Sequence, residues 1–440
     1  MTTERKRMWG WLLYDWASQP YSTLLLTFIF APYFTSAVVG DGVAGQSMWA
    51  LMVAVVGLTL AVLGPILGAV ADTTGVRRPW IVVFSVLYII GSFGLWWAVP
   101  GMDNVTWILI LFGIGLLGME LSLVFVNSMI PDIVGREETG KLSGNGFAIG
   151  YVGGLVLLFI MLLLLAENEE GKTLLGNPPI FGLDPETREG TRSVGPITAA
   201  WFVVFMIPFF MWIKEPKPDV KKPGALGIAL SELVTTIKNL PNNISLGSYL
   251  LSSMFYRDAL FSTYTFGGIY ASGVLGWSVP QIGIFGIVAG LTAAIFTWLG
   301  GYADKAFGPK RVIRFNIYVL IVVVILIVGT SRTTFFGAVL AEGSTFPDTL
   351  LYVCGAVLGA AGGILQAASR TMVIYQANED RLTEAFGLYA LAGKATAWLA
   401  PLMIFVFTEI TQNQRLGFAP VIVLFGIALC LLFWVDDKRS

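Results

Sequence analysis

Two short segments of this chain share one order of chemically active residues. GAVADTTGVRR contains Gly68, Asp72, Gly75, Arg77 and Arg78, and GGYADKAFGPKR contains Gly300, Asp304, Gly308, Lys310 and Arg311. In each segment an apolar run leads to a carboxylate, a glycine and two cations. An ionisable group at the end of a membrane helix is costly, so it usually serves a function. Its presence twice predicts an internally duplicated membrane protein.

Composition supports a protein with many membrane spans. The chain has 440 residues, of which 56% are hydrophobic and 12% are charged, against about 25% charged in soluble domains. Its net charge of -1 argues against a nucleic-acid partner. With no histidine, proton chemistry must use carboxylates, Lys, Tyr or water. Cys354 and Cys430 lie in apolar runs without metal-ligand spacing, so no metal or cofactor is predicted.

Twelve apolar segments are long enough to cross a bilayer as helices, which takes about 20 residues each. The predicted spans are 9–35, 48–71, 79–99, 105–130, 142–165, 196–213, 244–271, 280–303, 311–330, 349–376, 384–408 and 417–435. Most Lys and Arg residues lie in loops on the side of both termini, which predicts that both termini and both motifs are cytoplasmic. The expected fold is all-α, with a six-helix bundle at 1–213, a linker with an amphipathic helix at 214–243, and a second bundle at 244–440.

The duplication extends into the helices. Asp15 and Asp258 are separated by the same offset as Asn127 and Arg370, and as Gly144 and Gly387. Parallel six-helix repeats of this kind are known in the major facilitator superfamily.

The chain resembles that superfamily, and in particular its autophagy-related vacuolar-effluxer-like branch. The resemblance rests on the duplicated motif and on three segments, YDWASQPYSTLLLTFIFAPYF, NSMIPDIVGREETGKLSGNGFAIGYVGG and FGLYALAGKATAWLAP. It implies twelve helices and a secondary transporter that moves a small solute by alternating access. Two departures from the superfamily pattern weaken a drug-antiporter interpretation. The fourth predicted span, 105–130, has no arginine, and the fifth, 142–165, lacks the proline of the antiporter motif.

Charged side chains within predicted spans are candidates for transport. Asp15 and Glu120 are candidate proton carriers, and Arg257 and Lys394 are candidates to hold a substrate carboxylate. Asp258 either grips a substrate amine or neutralises one of these cations; a structural ion pair between Asp258 and Lys394 is an equal alternative. Polar residues at helical spacing add Gln19, Asn127 and Arg370 as further candidates, because each shares a predicted helix face with other polar groups: Asp15, Gln19 and Ser22; Glu120 and Asn127; Gln366 and Arg370.

Glycine and proline predict how the helices meet. Pro20 has no N–H, so it frees the carbonyl of Trp16. Glycines at intervals in the fifth and tenth predicted spans, 142–165 and 349–376, predict close helix packing. The motif aspartates are expected to latch the cytoplasmic side closed by meeting helix N-termini and loop cations; simple anchoring of the turns is the alternative.

The most specific function that these features predict is proton-coupled transport of an amino acid or similar small zwitterion. The alternatives are export of another organic solute, such as a drug, sugar or organic acid, and a non-transporting receptor on a transporter fold. An enzyme is not expected, because no serine or cysteine has an evident base. The expected partners are a small solute, protons and the bilayer, and the expected setting is a monomer in a bacterial inner membrane.

Overall fold

The structure, a computed structural model, describes residues 3–74, 77–129, 133–134, 139–214, 244–376 and 382–436, and within them it is almost entirely helical. The helices of the N-terminal half are α1 Thr3–Pro20, α2 Phe30–Tyr33, α3 Gly42–Thr74, α4 Arg78–Gly94, α5 Thr106–Ser128, α6 Thr139–Leu164, α7 Glu189–Arg192 and α8 Val194–Trp212. Those that follow are α9 Ile244–Leu275, α10 Val279–Phe307, α11 Pro309–Gly329, α12 Phe346–Gln376, α13 Leu382–Ala395, α14 Leu399–Thr411, α15 Gln414–Phe418 and α16 Pro420–Leu431. A small hairpin that the sequence did not predict pairs β1 Thr334–Phe335 with β2 Ala338–Val339.

Ten helical segments of the described ranges are long and apolar enough to cross a membrane. The fifth predicted span contributes a shorter apolar helix, Ala148–Leu164. The seventh, α9, is helical but lies outside the ten, because its serines, tyrosines and the adjacent Arg257 and Asp258 lower its hydropathy. The helical character is therefore confirmed, whereas the count of twelve spans stays a prediction. The predicted amphipathic helix at 214–243 lies outside the described residues, apart from Lys214.

The described residues form two compact units. The first comprises those within Met1–Gly40, Val62–Leu233 and Ser278–Gly283, and in it α1 packs on α6 and α8, and α4 packs on α5. The second comprises those within Asp41–Ala61, Val234–Trp277 and Ile284–Ser440. In this second unit α9 packs on α13 and α16, and α11 packs on α12.

Two predicted spans are not regular α-helices. The first is wound as a π-helix over Tyr21–Phe28 and again over Phe34–Val38, after α1 ends at Pro20. The eleventh is broken between α13 and α14. In both places a proline removes the N–H that would continue the α-helical hydrogen bonds. Pro401 is the relevant proline in the eleventh span, because the carbonyl four residues earlier belongs to Ala397, inside the break.

A buried carboxylate organises the loop that precedes α8. Glu167 is fully buried, and its Oε1 lies 3.0 Å from Nε of Arg188. Its Oε2 accepts a hydrogen bond from the backbone N–H of Thr191 at 3.1 Å. Burial raises the pKa of Glu167, and the nearby Arg188 lowers it in part. This loop is thus held by one acid at the start of a helix, where negative charge is favoured.

Candidate functional site

The first candidate carboxylate lies on a glycine surface. A Cβ at Gly146 of α6 would collide with Oδ2 of Asp15, and one at Gly150 would lie 3.2 Å from the Asp15 carbonyl oxygen. One turn along, a Cβ at Gly154 would lie 3.1 Å from Cγ of Gln19. The predicted close packing of this helix is confirmed. Asp15 is half-buried, and its carboxylate has no hydrogen-bond or ion-pair partner among the residues that the structure describes.

The polar face that begins with Asp15 and Gln19 turns away at Ser22. The hydroxyl of Ser22 points to Sδ of Met119 on α5, at 3.5 Å. The cause is the π-helix that begins at Tyr21, because its wider turn changes the angle between successive side chains. Sequence periodicity based on an α-helix therefore fails beyond Pro20.

The freed carbonyl of Trp16 has found a donor. Nε1 of Trp201 on α8 donates to it at 3.1 Å, and the two indole rings stack with centroids 5.6 Å apart. A Cβ at Gly153 would come within 2.7 Å of the same oxygen. Lipid offers no hydrogen bonds to a carbonyl, so an internal donor is what a proline in a membrane helix requires.

Tyrosine hydroxyls join helices by hydrogen bonds to serine in both units. In the first, the hydroxyl of Tyr14 bonds Ser122 Oγ of α5. In the second, the hydroxyl of Tyr256 on α9 lies 2.7 Å from Ser369 Oγ of α12. Glu120 is half-buried on α5, two residues before Ser122. Each unit thus has a tyrosine–serine bond between two helices, although the two pairs do not share the offset of Asp15 and Asp258.

Arg257 is held on one side only. Its Nη1 donates to the carbonyl of Tyr389 at 2.8 Å, and its guanidinium carbon lies 4.2 Å from the centre of the Tyr389 ring. A side chain at Gly393, one turn further along α13, would collide with the guanidinium. Arginine has five N–H donors in a planar fork, and the remaining ones have no partner among the described residues. The orientation of the Arg257 guanidinium is thus fixed, and it keeps N–H donors for a further acceptor.

Asp258 points elsewhere, to the broken eleventh helix. It is 4% exposed, and its Oδ2 accepts the backbone N–H of Ala400, in the first turn of α14, at 2.8 Å. Its Oδ1 has no hydrogen-bond partner among the described residues. Because a helix N-terminus carries unpaired N–H groups and partial positive charge, the carboxylate stabilises the break.

The backbone of α3 also packs closely against the break between α13 and α14. A Cβ at Gly57 would lie 2.8 Å from the carbonyl oxygen of Ala397 and 2.9 Å from the nitrogen of Trp398. Backbone atoms cannot move aside as a flexible side chain can, so glycine is favoured over any residue with a Cβ at this position. Neither the break nor the contact of Gly57 is predicted from the sequence, although Pro401 is a signal for the break.

The remaining candidates, Lys394, Asn127 and Arg370, differ in their burial. Oδ2 of Asp258 accepts the backbone N–H of Ala400, and the ion pair considered between Asp258 and Lys394 stays a prediction. Lys394 is half-buried on α13. Asn127 and Arg370 are exposed near the ends of α5 and α12. Arg257 and Asp258 are adjacent in sequence but contact different elements, α13 and α14.

In the first motif copy, the second cation binds a helix end. Arg78, the first residue of α4, donates from Nη2 to the carbonyl of Phe210 at 2.9 Å, in the last turn of α8. A cation at a helix C-terminus is favoured by the exposed carbonyls there. Arg77 is the residue that precedes α4. Gly75, the surroundings of Gly68 and the side chain of Asp72 lie outside what the structure describes.

The second copy repeats this contact at the matching position. Lys310 donates from Nζ to the carbonyl of Val435 at 2.5 Å, after the last helical turn of the chain. Gly308 has φ +84, a conformation that favours glycine, and it is the residue that precedes α11. A Cβ at Gly300 would lie 3.2 Å from Ile364 of α12, and Arg311 is exposed. In both copies a motif cation fastens the end of the last helix before the linker or the C-terminal residues.

Asp304 contacts its own unit. Its Oδ2 accepts the hydroxyl of Thr371 on α12 at 3.1 Å, while Oδ1 has no partner among the described residues. It lies beyond the apolar span Val279–Thr297. Burial raises the pKa of Asp304 to about 6, and the Thr371 hydrogen bond lowers it in part. This carboxylate therefore changes charge near neutral pH.

Comparison with known proteins gives one consistent set of relatives. The family model described as "Vacuole effluxer Atg22 like" matches residues 35–440. The chain is 25% identical to the uncharacterized MFS-type transporter YxiO of Bacillus subtilis over 440 residues, covering 98% of this chain and 95% of that protein. It is 24% identical to autophagy-related protein 22 of Cryptococcus neoformans, covering 69% of this chain and 51% of that protein. The chain thus spans about half the length of that fungal relative.

Solved structures of transporters share the fold. A crystal structure of a D-xylose-proton symporter superposes with a TM-score of 0.64 at 16% identity, covering 99% of this chain and 97% of that one. The nucleoside transporter NupG gives a TM-score of 0.61 at 14% identity, covering 98% of both chains. Identities this low establish likeness of fold and leave the solute open.

Proposed function

This chain belongs to the family of Atg22-like vacuole effluxers, and on that premise we propose that it moves a small carboxylate-bearing solute, an amino acid or a similar zwitterion. Family and fold make it a multi-pass membrane transporter of the major facilitator type. The proposal adds the solute class, alternating access and coupling to protons. Export of a drug, sugar or other organic acid is the competing proposal within transport.

The observation that carries the solute class is the guanidinium of Arg257. The hydrogen bond to the Tyr389 carbonyl and the Tyr389 ring fix it on one side. Its remaining donors suit a carboxylate, which accepts two parallel N–H bonds from arginine. Gly393 lets the guanidinium pack closely against α13, because any side chain there would collide with it. A half-buried site strengthens such a bond relative to water.

We propose Asp15 and Glu120 as the proton carriers. Asp15 supports this role because its half-buried carboxylate packs on Gly146 and Gly150 without a described partner. Glu120 lies half-buried on α5. Since the chain has no histidine, the carboxylates inside the spans are the simplest candidates to carry protons. Asp258 is proposed to stabilise the α14 N-terminus instead of gripping a substrate amine.

The proposed architecture comprises two six-helix bundles, 1–213 and 244–440, joined by a cytoplasmic linker at 214–243, with both termini cytoplasmic. The Bacillus relative supports a bacterial plasma membrane, and the protein is proposed to act as a monomer. Asp72 and Asp304 are proposed as latches on the cytoplasmic side. Reporter fusions after each predicted span would test the topology.

A thermal-shift screen tests the proposal. Amino acids and organic acids are added to purified protein, together with the amide of each acid as a carboxylate-free control. We expect at least one acid, and not its amide, to raise the unfolding temperature of the wild type but not of Arg257→Gln. The matched control is Arg332→Gln, which removes an exposed arginine paired with Asp348 at 2.6 Å. If amides bind as well as acids, the role of Arg257 is wrong.

Flux into liposomes then separates transporter from receptor. A solute found in the screen should accumulate in response to a pH gradient, and Asp15→Asn should abolish the accumulation while retaining solute exchange. Binding without flux would favour a non-transporting receptor. Flux that ignores the pH gradient would refute proton coupling while preserving the solute assignment.

A further inference from the structure

The second unit contains a cavity whose lining includes none of the candidate transport residues. It has a volume of about 300 Å³ and is open on one side. Ile325, Val328 and Gly329 of α11 form one wall, and Ile422 of α16 forms another. Phe336 of the hairpin and Arg415 of α15 complete it. The walls are apolar, and Arg415 is the charged residue of the lining.

Its position along the helices places the cavity at a membrane–water interface. Val328 and Gly329 are the last residues of the apolar span Pro309–Gly329, whereas Arg415 is the second residue of the span Gln414–Trp434. The ends of two membrane spans therefore meet here, at the depth where hydrocarbon gives way to headgroups. Ile325 is 39% exposed and Leu416, also in the lining, is 49% exposed, so the rim presents apolar side chains.

Arg415 brings a cation without a counter-ion. Its backbone N–H is fixed by Oδ1 of Asn413 at 2.9 Å, at the start of α15. In the part of the chain that the structure describes, its guanidinium has no hydrogen bond and no carboxylate within ion-pair distance. The contrast is Arg332, the arginine near the hairpin, which is paired with Asp348.

The hairpin wall is built at a conformational cost. Phe336 has φ +46, which is unusual for a bulky residue, and Gly337 follows at φ +84. The Phe336 N–H donates to the carbonyl of Gly329 at 2.7 Å. A Cβ at Gly329 would come within 2.5 Å of the Phe336 ring, so the glycine makes room for it. Strain of this kind persists where surrounding contacts enforce it and often marks a ligand site.

We propose that this cavity binds an anionic phospholipid, with its phosphate on Arg415 and an acyl chain along Ile325, Val328 and Ile422. An arginine fork matches two phosphate oxygens. A headgroup with net charge -1 neutralises the unpaired guanidinium, whereas a zwitterionic headgroup brings its own cation. Each CH₂ of the acyl chain that is buried in the cavity adds to the affinity. The site is independent of the proposed solute, since none of its residues belongs to the candidate transport groups.

Lipid retention by native mass spectrometry tests the site. Delipidated protein in detergent is given phosphatidylglycerol or phosphatidylcholine with the same acyl chains. We expect wild type and Arg332→Gln to retain phosphatidylglycerol preferentially. In Arg415→Gln the affinity for phosphatidylglycerol should fall about tenfold, to the level of phosphatidylcholine. Arg415→Gln changes a partly exposed side chain without a described partner, so we expect it to fold.

Two further arms decide between sources of phosphate and between modes of binding. Inorganic phosphate and glycerol phosphate, at the same concentrations, should leave the unfolding temperature unchanged, because they lack the acyl chain. Val328→Trp, which fills the cavity, should reduce retention of both lipids. The proposal is overturned if Arg415→Gln keeps the preference for phosphatidylglycerol, or if phosphate alone reproduces the stabilisation.

Discussion

Replacing Gly57 by alanine tests the contact between α3 and the helix break. The new Cβ would lie 2.8 Å from the Ala397 carbonyl oxygen and 2.9 Å from the Trp398 nitrogen. Both are backbone atoms, so relief requires moving α3 or the break, and overpacking of this kind costs about 1–3 kcal/mol. Alanine also gains up to about 1 kcal/mol over glycine inside a helix. These two effects have opposite signs, so a single variant does not separate them.

Gly64 supplies the matched control. It lies on the same helix, two turns away, and a Cβ there would meet no atom within 4 Å. Gly64→Ala should therefore gain the helix-propensity term alone. We expect Gly57→Ala to be less stable than Gly64→Ala by about 1–3 kcal/mol, the overpacking term. The measurement is the thermal unfolding midpoint of both variants and the wild type, in the same detergent and at the same protein concentration.

The comparison has a clear contrary outcome. If both alanine variants raise the midpoint equally, the α3 backbone does not approach the break as the structure places it. A second readout uses Gly57→Ser, whose side chain is also too large for the space; it should resemble Gly57→Ala, whereas Gly64→Ser should resemble the wild type.

Three further predictions concern carboxylates. Asp72→Asn should shift the resting population toward the inward-open state if the proposed latch is real; unchanged cysteine-accessibility labelling would argue against the latch. The pKa of Asp304, about 6 when folded against an ordinary value of 3.8, makes its stabilising contribution complete below pH about 4 and lost as pH rises through about 6. Asp304→Asn should remove about 2–3 kcal/mol of this pH dependence, and unfolding curves at pH 4 and pH 7 that change equally in both proteins would contradict it. Glu167→Ala should cost about 3–5 kcal/mol, because Arg188 and the Thr191 N–H lose a buried partner; Glu167→Gln, which keeps an acceptor, should cost less, and equal midpoints would refute the ordering.

The sequence predicted the features that depend on local chemistry. Pro20 predicted a free carbonyl, and Trp16 does accept an indole N–H there. The glycines of α6 predicted close packing, and Gly146 and Gly150 do receive Asp15. The duplicated motif predicted equivalent roles, and Arg78 and Lys310 both bind helix-end carbonyls. In these cases the residue itself lacks a group or supplies a charge, so its consequence follows without knowledge of the fold.

Features that depend on distant partners escaped prediction. The bond from Nη2 of Arg78 to the carbonyl of Phe210 was not predicted, because Phe210 is remote in sequence. Asp258 was considered as a partner of Lys394 because both side chains carry charge, whereas the observed partner of its Oδ2, the backbone N–H of Ala400, has no charge that a sequence displays. The polar face through Ser22 failed since π-helical winding is invisible to a 3.6-residue period.

The bond between Trp201 and the Trp16 carbonyl constrains the order in which the chain can evolve. While proline stays at position 20, losing the Trp201 indole leaves a carbonyl unsatisfied, at a cost of about 1–3 kcal/mol. Once Pro20 is replaced, its successor restores the helical N–H and position 201 becomes free to vary. Replacement of Pro20 followed by loss of Trp201 is therefore a tolerated order, whereas loss of Trp201 first is destabilising. Among descendants of this sequence, proline at 20 without a donor at 201 should be rare.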